Sequence, residues 1–459
     1  MKRAILLTVI VLLAAPGWAE AAERSAQPPP AQFETGYERP TVENPLPRAD
    51  VFEYVDVAVL VAAIALATVL ALKVRRRAWI FLVMLGALLY FGFYRGGCVC
   101  PIGAIQNVAL ALGGGYAVPA FVLAFFFLPL VVALFFGRTF CGAVCPLGAI
   151  QDVVLVRPVR VPGWLEHALG LLPYVYLGAA VLFAATGAAF VICEYDPFVS
   201  IFRLVPLLHT ESLMDAVRGS MNMLIVGAGV LAIGLFVGRP YCRYLCPYGA
   251  LLRFFSRASR WHVTIAPDEC VQCRLCEDAC PFGAIRKPSP PPSLSRSAGK
   301  GRLAAMLVLA PVLVVAGLWL GARAGPAMAR VHDTVRLADR VRLEQAGKVE
   351  GTTNASDAFY ATRRPVEDLY AESAGLVGNF VWGGALLGAW VGLVVGAKLV
   401  SLSVRRTRTD YEPDRATCLS CGRCFAYCPK EQSRRAGPVV RDTLYSRAGG
   451  EAQPEPTQT

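Results

Sequence analysis

Cys270-Val-Gln-Cys273-Arg-Leu-Cys276-Glu-Asp-Ala-Cys280-Pro281 returns in spacing as Cys418-Leu-Ser-Cys421-Gly-Arg-Cys424-Phe-Ala-Tyr-Cys428-Pro429, both reading C-x2-C-x2-C-x3-C-P. In the bacterial ferredoxin run of this form, three closely spaced thiolates each grip one corner of a cubane, and the fourth reaches the neighbouring cluster. Two copies imply two 4Fe-4S clusters. The crossed pattern predicts Cys270, Cys273, Cys276 and Cys428 on one cluster, and Cys418, Cys421, Cys424 and Cys280 on the other. The competing reading is a structural four-cysteine zinc site, but zinc motifs usually arrive as two separated cysteine pairs.

Working outward, the chain has 459 residues, is 55% hydrophobic and has a mean hydropathy of +0.49. That is too apolar for a soluble protein and long enough for several membrane spans. The net charge of +12 sits beside apolar runs, as the positive-inside rule produces, so it is read as orientation in a membrane and not as nucleic-acid binding. Eight of the fifteen cysteines lie in the two runs, which points to a reducing compartment for those segments. His167, His209, His262 and His332 all lie outside the apolar cores, leaving no visible pair of intramembrane haem ligands.

Residues 1–21 have a basic start, an apolar centre and Ala19-Glu20-Ala21, the form of a secretory signal. Residues 22–50 read as a periplasmic linker. Seven spans then follow: 55–72, 79–93, 119–137, 171–192, 221–238, 303–320 and 380–402. Arg75 to Arg77, Arg157 with Arg160, Arg253 with Arg257 and Arg260, and Arg405 with Arg406 mark the cytoplasmic ends. This topology groups residues 51–262 as a transmembrane domain and 263–290 as ferredoxin half one. A helix at 303–322, a periplasmic polar loop at 323–376 and a helix at 378–402 come next. Ferredoxin half two occupies 410–432, and 433–459 reads as a disordered tail. Both ferredoxin halves fall on the cytoplasmic side. In the loop, Met328, Val331, Val335, Ala338 and Val341 recur at helical spacing, while Gly351 to Ser356 faintly resembles a flavin attachment segment and is better read as ordinary loop chemistry. Flavin is therefore not expected on this chain.

Three segments align on Cys-Pro: Gly92–Gln106, Gly137–Gln151 and Gly238–Leu252. In each, an apolar span reaches Gly, then a cysteine pair ending in Cys-Pro, then x-Gly-Ala and a new short helix. The second and third copies, Cys141 with Cys145 and Cys242 with Cys246, are C-x3-C-P, and cysteines four apart can share a helix face. These four thiols either ligate an additional intramembrane iron–sulfur centre, act as a thiol relay, or fill space. The first copy departs, with Cys98 and Cys100 two apart. Together with Cys193 these lie at the outer side, where packing, a disulfide or a metal or electron-relay role all remain open.

Two C-x3-C-P motifs, two ferredoxin runs and the span pattern resemble the polyferredoxin-type membrane proteins of the NosR and NapH group, over roughly residues 80–290 and 405–430. The resemblance implies a bacterial inner-membrane electron-transfer protein serving a periplasmic reductase or its maturation. The chain departs from that pattern in three ways. No periplasmic flavin-binding domain precedes the spans, a helical hairpin separates the two runs, and Cys98-Val99-Cys100 is additional.

The expected fold is an α-helical integral membrane protein of about seven transmembrane helices. It carries a cytoplasmic, bicluster, ferredoxin-like α+β module assembled from two separated segments. The expected function is relay of electrons between cytoplasmic or quinone-linked donors and a periplasmic flavoprotein, cytochrome or reductase, with membrane lipid around the spans. The alternative is a redox sensor or cofactor-maturation protein for a periplasmic metalloenzyme. No acid, base or nucleophile constellation marks substrate chemistry of its own.

Overall fold

The computed structural model of the chain describes residues 49–97, 101–114, 117–194, 196–198, 201–202, 213–265, 270–289, 296–404 and 408–436. The signal at 1–21, Cys98, Cys100 and the tail from 437 lie outside these residues. Five helical stretches are long and apolar enough to cross a membrane: Val51–Val74, Arg77–Tyr94, Gly163–Ala185, Lys300–Ala329 and Val366–Ser403. Four of them match expected spans, and Gly163–Ala185 overlaps the expected 171–192 but ends seven residues earlier, where the chain turns after Ala185. The other two expected spans, 119–137 and 221–238, fall on shorter apolar helices, Ala120–Phe136 and Met223–Gly234, and Pro101–Gly113 is a further short one.

In chain order, α1 (Asp50–Val69) and α2 (Arg77–Ala87) each run on into a looser turn, Leu70–Val74 and Leu88–Tyr94. There the amide of Arg75 reaches back five residues to Leu70 (2.7 Å) and that of Arg95 to Tyr90 (3.0 Å). Then come α3 (Pro101–Gly114), α4 (Ala120–Phe136), α5 (Thr139–Ala143), α6 (Pro146–Val153), α7 (Gly163–Leu169), α8 (Leu172–Ala185) and α9 (Val191–Glu194). They are followed by α10 (Leu213–Gly234), α11 (Pro240–Tyr244) and α12 (Pro247–Ser256). Proline at the first helical position starts α3, α6, α11 and α12, where its missing N–H costs nothing.

The ferredoxin module comprises α13 (Leu275–Asp278) and β1 (Ile285–Arg286) from one segment, and β2 (Glu412–Pro413), α18 (Arg423–Ala426) and α19 (Pro429–Ala436) from the other. β1 and β2 pair antiparallel, Ile285 opposite Pro413 and Arg286 opposite Glu412. Arg286 extends the seam to Asp414 at 2.6 Å. The two halves therefore form one α+β unit. Its core residues Val263, Phe282, Leu419 and Phe425 belong to the same buried cluster as Leu60, Ile64, Ile80 and Met84 of α1 and α2.

Between the halves stands a helical hairpin, α14 (Arg296–Ala329, 34 residues) and α17 (Val366–Ser403, 38 residues). At 1.5 Å per residue each is roughly 50 Å or longer, well beyond the 30 Å hydrocarbon layer. The expected loop at 323–376 is thus the projecting ends of these helices joined through α15 (Asp333–Gln345) and α16 (Asn354–Ala361). The predicted amphipathic helix exists, with Val335, Ala338 and Val341 buried. Met328 and Val331 precede it, because the His332 ring caps its start by accepting from the Thr334 amide at 3.2 Å. Thr353 and Ser356 form a capping box on α16, so the small-residue segment serves as a helix start.

The hairpin is held by glycine. Gly317 lies against Gly388, Gly321 against Gly384, Leu313 against Gly392 and Ala310 against Gly396, an antiparallel register repeating every fourth residue. A Cβ on Gly388 would overlap the Gly317 carbonyl oxygen. Removing side chains lets backbones touch where lipid supplies no hydrophobic drive for association. The outward faces, with Val312, Val315, Trp319, Trp382 and Leu386, are exposed.

Candidate iron–sulfur centres and their surroundings

The two ferredoxin runs fold alike. In each, the residues flanking the second cysteine have positive φ: Gln272 (52°) and Arg274 (65°) in the first, Ser420 (56°) and Gly422 (78°) in the second. Left-handed residues curl the chain so that three sulfurs turn inward, at a cost on the order of 1 kcal/mol for each that is not glycine. Cys270, Cys273, Cys276 and Cys428 line one recess together with Ile265 and Tyr411. Cys280 leaves its own run and joins Cys418, Cys421 and Cys424, the charges of these four bearing on one another. Cys428 thus stands with the first run's cysteines and Cys280 with the second's.

The thiol chemistry fits a cluster. Burial, and after it neighbouring Cys273, Cys270 and Cys428, pushes the Cys276 thiol up to about 11. Burial, with Cys421 and Cys280, pushes Cys418 up to about 12. Four such thiols resist ionising together, whereas a cationic iron core makes a coordinating thiol deprotonate outright. Among the described residues, no three Cys, His, Asp or Glu side chains close on a single metal ion. A zinc site needs all its sulfurs about 2.3 Å from one centre.

The second and third Cys-Pro copies press directly on this module. Gly142 packs on the Leu419 carbonyl and Gly238 on Pro281. Cys141, Cys145, Cys242 and Cys246 are all buried. Each copy sends an arginine into the other: Arg239 donates to the carbonyl oxygens of Cys141 and Gly142 and lies over Gly148, while Arg138 reaches Gly249. Cys141 and Cys242 lie within electrostatic reach of one another. Gln151, from the second copy, donates to Cys242 Sγ at 3.4 Å and accepts from the Tyr241 amide at 3.0 Å. The Gly249 amide donates to Cys246 Sγ at 3.2 Å and Arg138 to Cys141 Sγ at 3.6 Å. Donors aimed at sulfur favour the thiolate and tune any centre it holds.

Asp152, on α6, balances part of this charge, 3.7 Å from Arg239 and 3.2 Å from Arg423 beside Cys424. Burial alone would raise the Asp152 carboxyl, but Arg239 and Arg423 hold it below the usual range. The sequence pattern assigns no role to Arg138, Arg239, Gln151 or Asp152. The available signal was Gly-Arg at the same offset in copies two and three.

Copy one lies further along the same helical stretch. Ile80 and Met84 of α2 touch Gly422 and Arg239, while Gly92 comes eight residues after Met84, in the Leu88–Tyr94 turn that packs against α6. There Arg95 pairs with Asp56 (2.8 Å) and Glu53 (3.2 Å), and Tyr90 donates to Asp56 at 2.7 Å. Cys193 lies on α9. The arginines near the third copy and the first run face different ways. Arg253 is turned inward and donates to the Arg243 carbonyl, Arg257 and Arg260 are exposed, and Arg274 forms part of the cysteine run.

Residues 118–165 and 220–265, which enclose the two C-x3-C-P pairs, match a family described as a 4Fe-4S binding domain, and residues 263–286 match a second family of that description. The chain is 32% identical to Protein NirI of Paracoccus denitrificans over 133 residues, 28% of this chain and 18% of that protein. It is 28% identical over 124 residues to YccM of Escherichia coli, named as a candidate electron transport protein, covering 26% of this chain and 33% of the relative. The chain thus spans a third or less of the length of these relatives. No solved structure matches.

Proposed function

We propose that this chain, an iron–sulfur electron-transport membrane protein of the NosR and NapH type, passes single electrons between a cytoplasmic or quinone-linked donor and a periplasmic redox partner. The observation that carries the reading is the continuity of cysteine groups. The Cys270 quartet adjoins the Cys418 quartet through the shared exchange of Cys280 and Cys428, and the Cys418 quartet abuts the Cys-Pro pairs through Gly142, Arg138 and Arg423.

Two 4Fe-4S clusters held by the eight ferredoxin cysteines supply one-electron storage. Cys141, Cys145, Cys242 and Cys246 would hold a further iron–sulfur centre, since all four are buried, Cys141 takes a guanidinium donor, Cys242 a side-chain amide and Cys246 a backbone amide. A separation of about 30 Å across the hydrocarbon demands such intermediate stations. By the span order read from the sequence, Cys98, Cys100 and Cys193 would fall at the outer end of the path. On a seven-span topology both ferredoxin halves would lie at the cytoplasmic end, and the pairing of β1 with β2, which joins the two halves in one unit, is what such a topology requires.

The test is electron transfer by anaerobically purified protein in sealed liposomes, reduced from the module side in the presence of an impermeant oxidant on the opposite side. Oxidant consumption that depends on Cys141 and Cys242 supports conduction. Full reduction of the protein with no transfer outward rejects it.

A further inference from the structure

A recess of about 1380 Å³ opens between the ferredoxin module and the ends of α8 and α17. Its upper wall is apolar, with Trp390, Leu393 and Val394 from α17, and the Trp390 indole donates to the Tyr174 carbonyl at 2.8 Å. Its inner wall carries Arg138, Arg253, Arg257 and Lys398. None of these four forms an ion pair among the described residues. Of the four acids lining the recess, Glu166 is engaged by Arg243 at 2.6 Å, Asp414 by Arg286 at 2.6 Å and Glu412 by Arg408 at 3.7 Å, with Asp410 the fourth, and Lys398 has Arg253, Arg286 and Arg257 as neighbours.

Arg138 and Arg253 donate through their terminal nitrogens to Ala416, Cys141 and Arg243, but among the described residues Arg138 Nε, Arg253 Nε and Tyr244 Oη, all buried, have no hydrogen-bond partner. Burial, then the facing charge of Arg138, lowers the Arg253 guanidinium to about 10. Unanswered cations at low dielectric are costly, and a fork of guanidinium donors is shaped for the oxygens of a phosphate or carboxylate. The apolar wall above them continues along helices whose outer faces are exposed, so the complete ligand has an anionic head and an apolar tail.

We propose that this recess binds the phosphate headgroup of an anionic phospholipid, with the acyl chains running up past Trp390 and Leu393. Basic pockets between membrane helices recognise such headgroups. The lipid would wedge the module against the spans beside Cys242, which lines the same recess. The inference rests on the chain's being a membrane protein and is independent of where its electrons go.

The test uses the full chain with its clusters, delipidated in detergent and returned to phosphatidylglycerol, phosphatidylcholine or inorganic phosphate. Lipid phosphorus retained after gel filtration and the thermal midpoint are read in each arm. Phosphatidylglycerol should be retained and should raise the midpoint, with phosphatidylcholine and inorganic phosphate inert. Lys398→Gln and Arg257→Gln, at partly exposed or exposed positions, should each cut retention several-fold, whereas Arg302→Gln, an exposed position at the start of α14, should not. Equal retention of the two lipids, or full retention by both recess variants, overturns the proposal. Stabilisation by inorganic phosphate alone shows a site for a bare oxyanion and overturns the lipid assignment.

Discussion

Arg423, next to Cys424, donates to Asp152 at 3.2 Å. One buried carboxylate on α6 therefore joins the second ferredoxin run to the membrane-side repeat, since the same group faces Arg239 from the third Cys-Pro copy.

Asp152→Asn leaves Arg239, which is fully buried, without its counter-charge. Breaking one side of a buried pair costs about 3–5 kcal/mol. The expected result is a lowered thermal midpoint and an altered EPR signal from the Cys418 quartet, with the Cys270 quartet little changed. Equal disturbance of both quartets would show that Asp152 acts on general folding and not at this joint.

The glycine seam makes a separate prediction. Gly388→Leu must push α14 and α17 apart and should destabilise the hairpin by about 1–3 kcal/mol. Gly375, on the same helix with open space around it, should accept alanine at no loss or with a gain of up to about 1 kcal/mol. Thermal unfolding of the two variants in one detergent decides the matter, and a tolerant Gly388 would contradict the packing.

These elements show what the chain reveals before it folds. The cysteine runs were legible because ligand spacing is local and chemically restrictive, and the crossed exchange of Cys280 and Cys428 follows from the same motif. Arg138 and Arg239 were not, since an arginine after an apolar span has the same signature whether it stops the span or is buried between two turns. Gly317 and Gly388 passed as ordinary apolar content. Their meaning lies in a register between helices more than sixty residues apart, which periodicity along one helix does not display. The projecting ends of α14 and α17 were missed because polar residues outside the bilayer were read as a loop, although their helical period continues.

The seam between the ferredoxin halves should be acid-sensitive. Burial on its own would raise the Asp414 carboxyl, but Arg286 and the amides of Ala416 and Thr417 hold it below the ordinary range. A carboxylate depressed in the folded state contributes stability that is complete above its unfolded value of about 4 and is lost as pH falls through the lower folded value. Asp414→Asn removes that contribution. Bleaching of the cluster absorbance on acidification should therefore begin at higher pH in the variant, and identical acid profiles would count against the seam.

Cluster assignment gives the most direct measurement of the central claim. Iron, sulfide and EPR should be determined for the anaerobically purified protein and for Cys428→Ser and Cys280→Ser. About eight irons in the ferredoxin module are expected, and about twelve in all if the Cys-Pro pairs hold a further cubane. Cys428→Ser should perturb the cluster of Cys270, Cys273 and Cys276, and Cys280→Ser that of Cys418, Cys421 and Cys424. If each substitution instead disturbs the cluster of its own run, or the protein holds no iron, the account is contradicted.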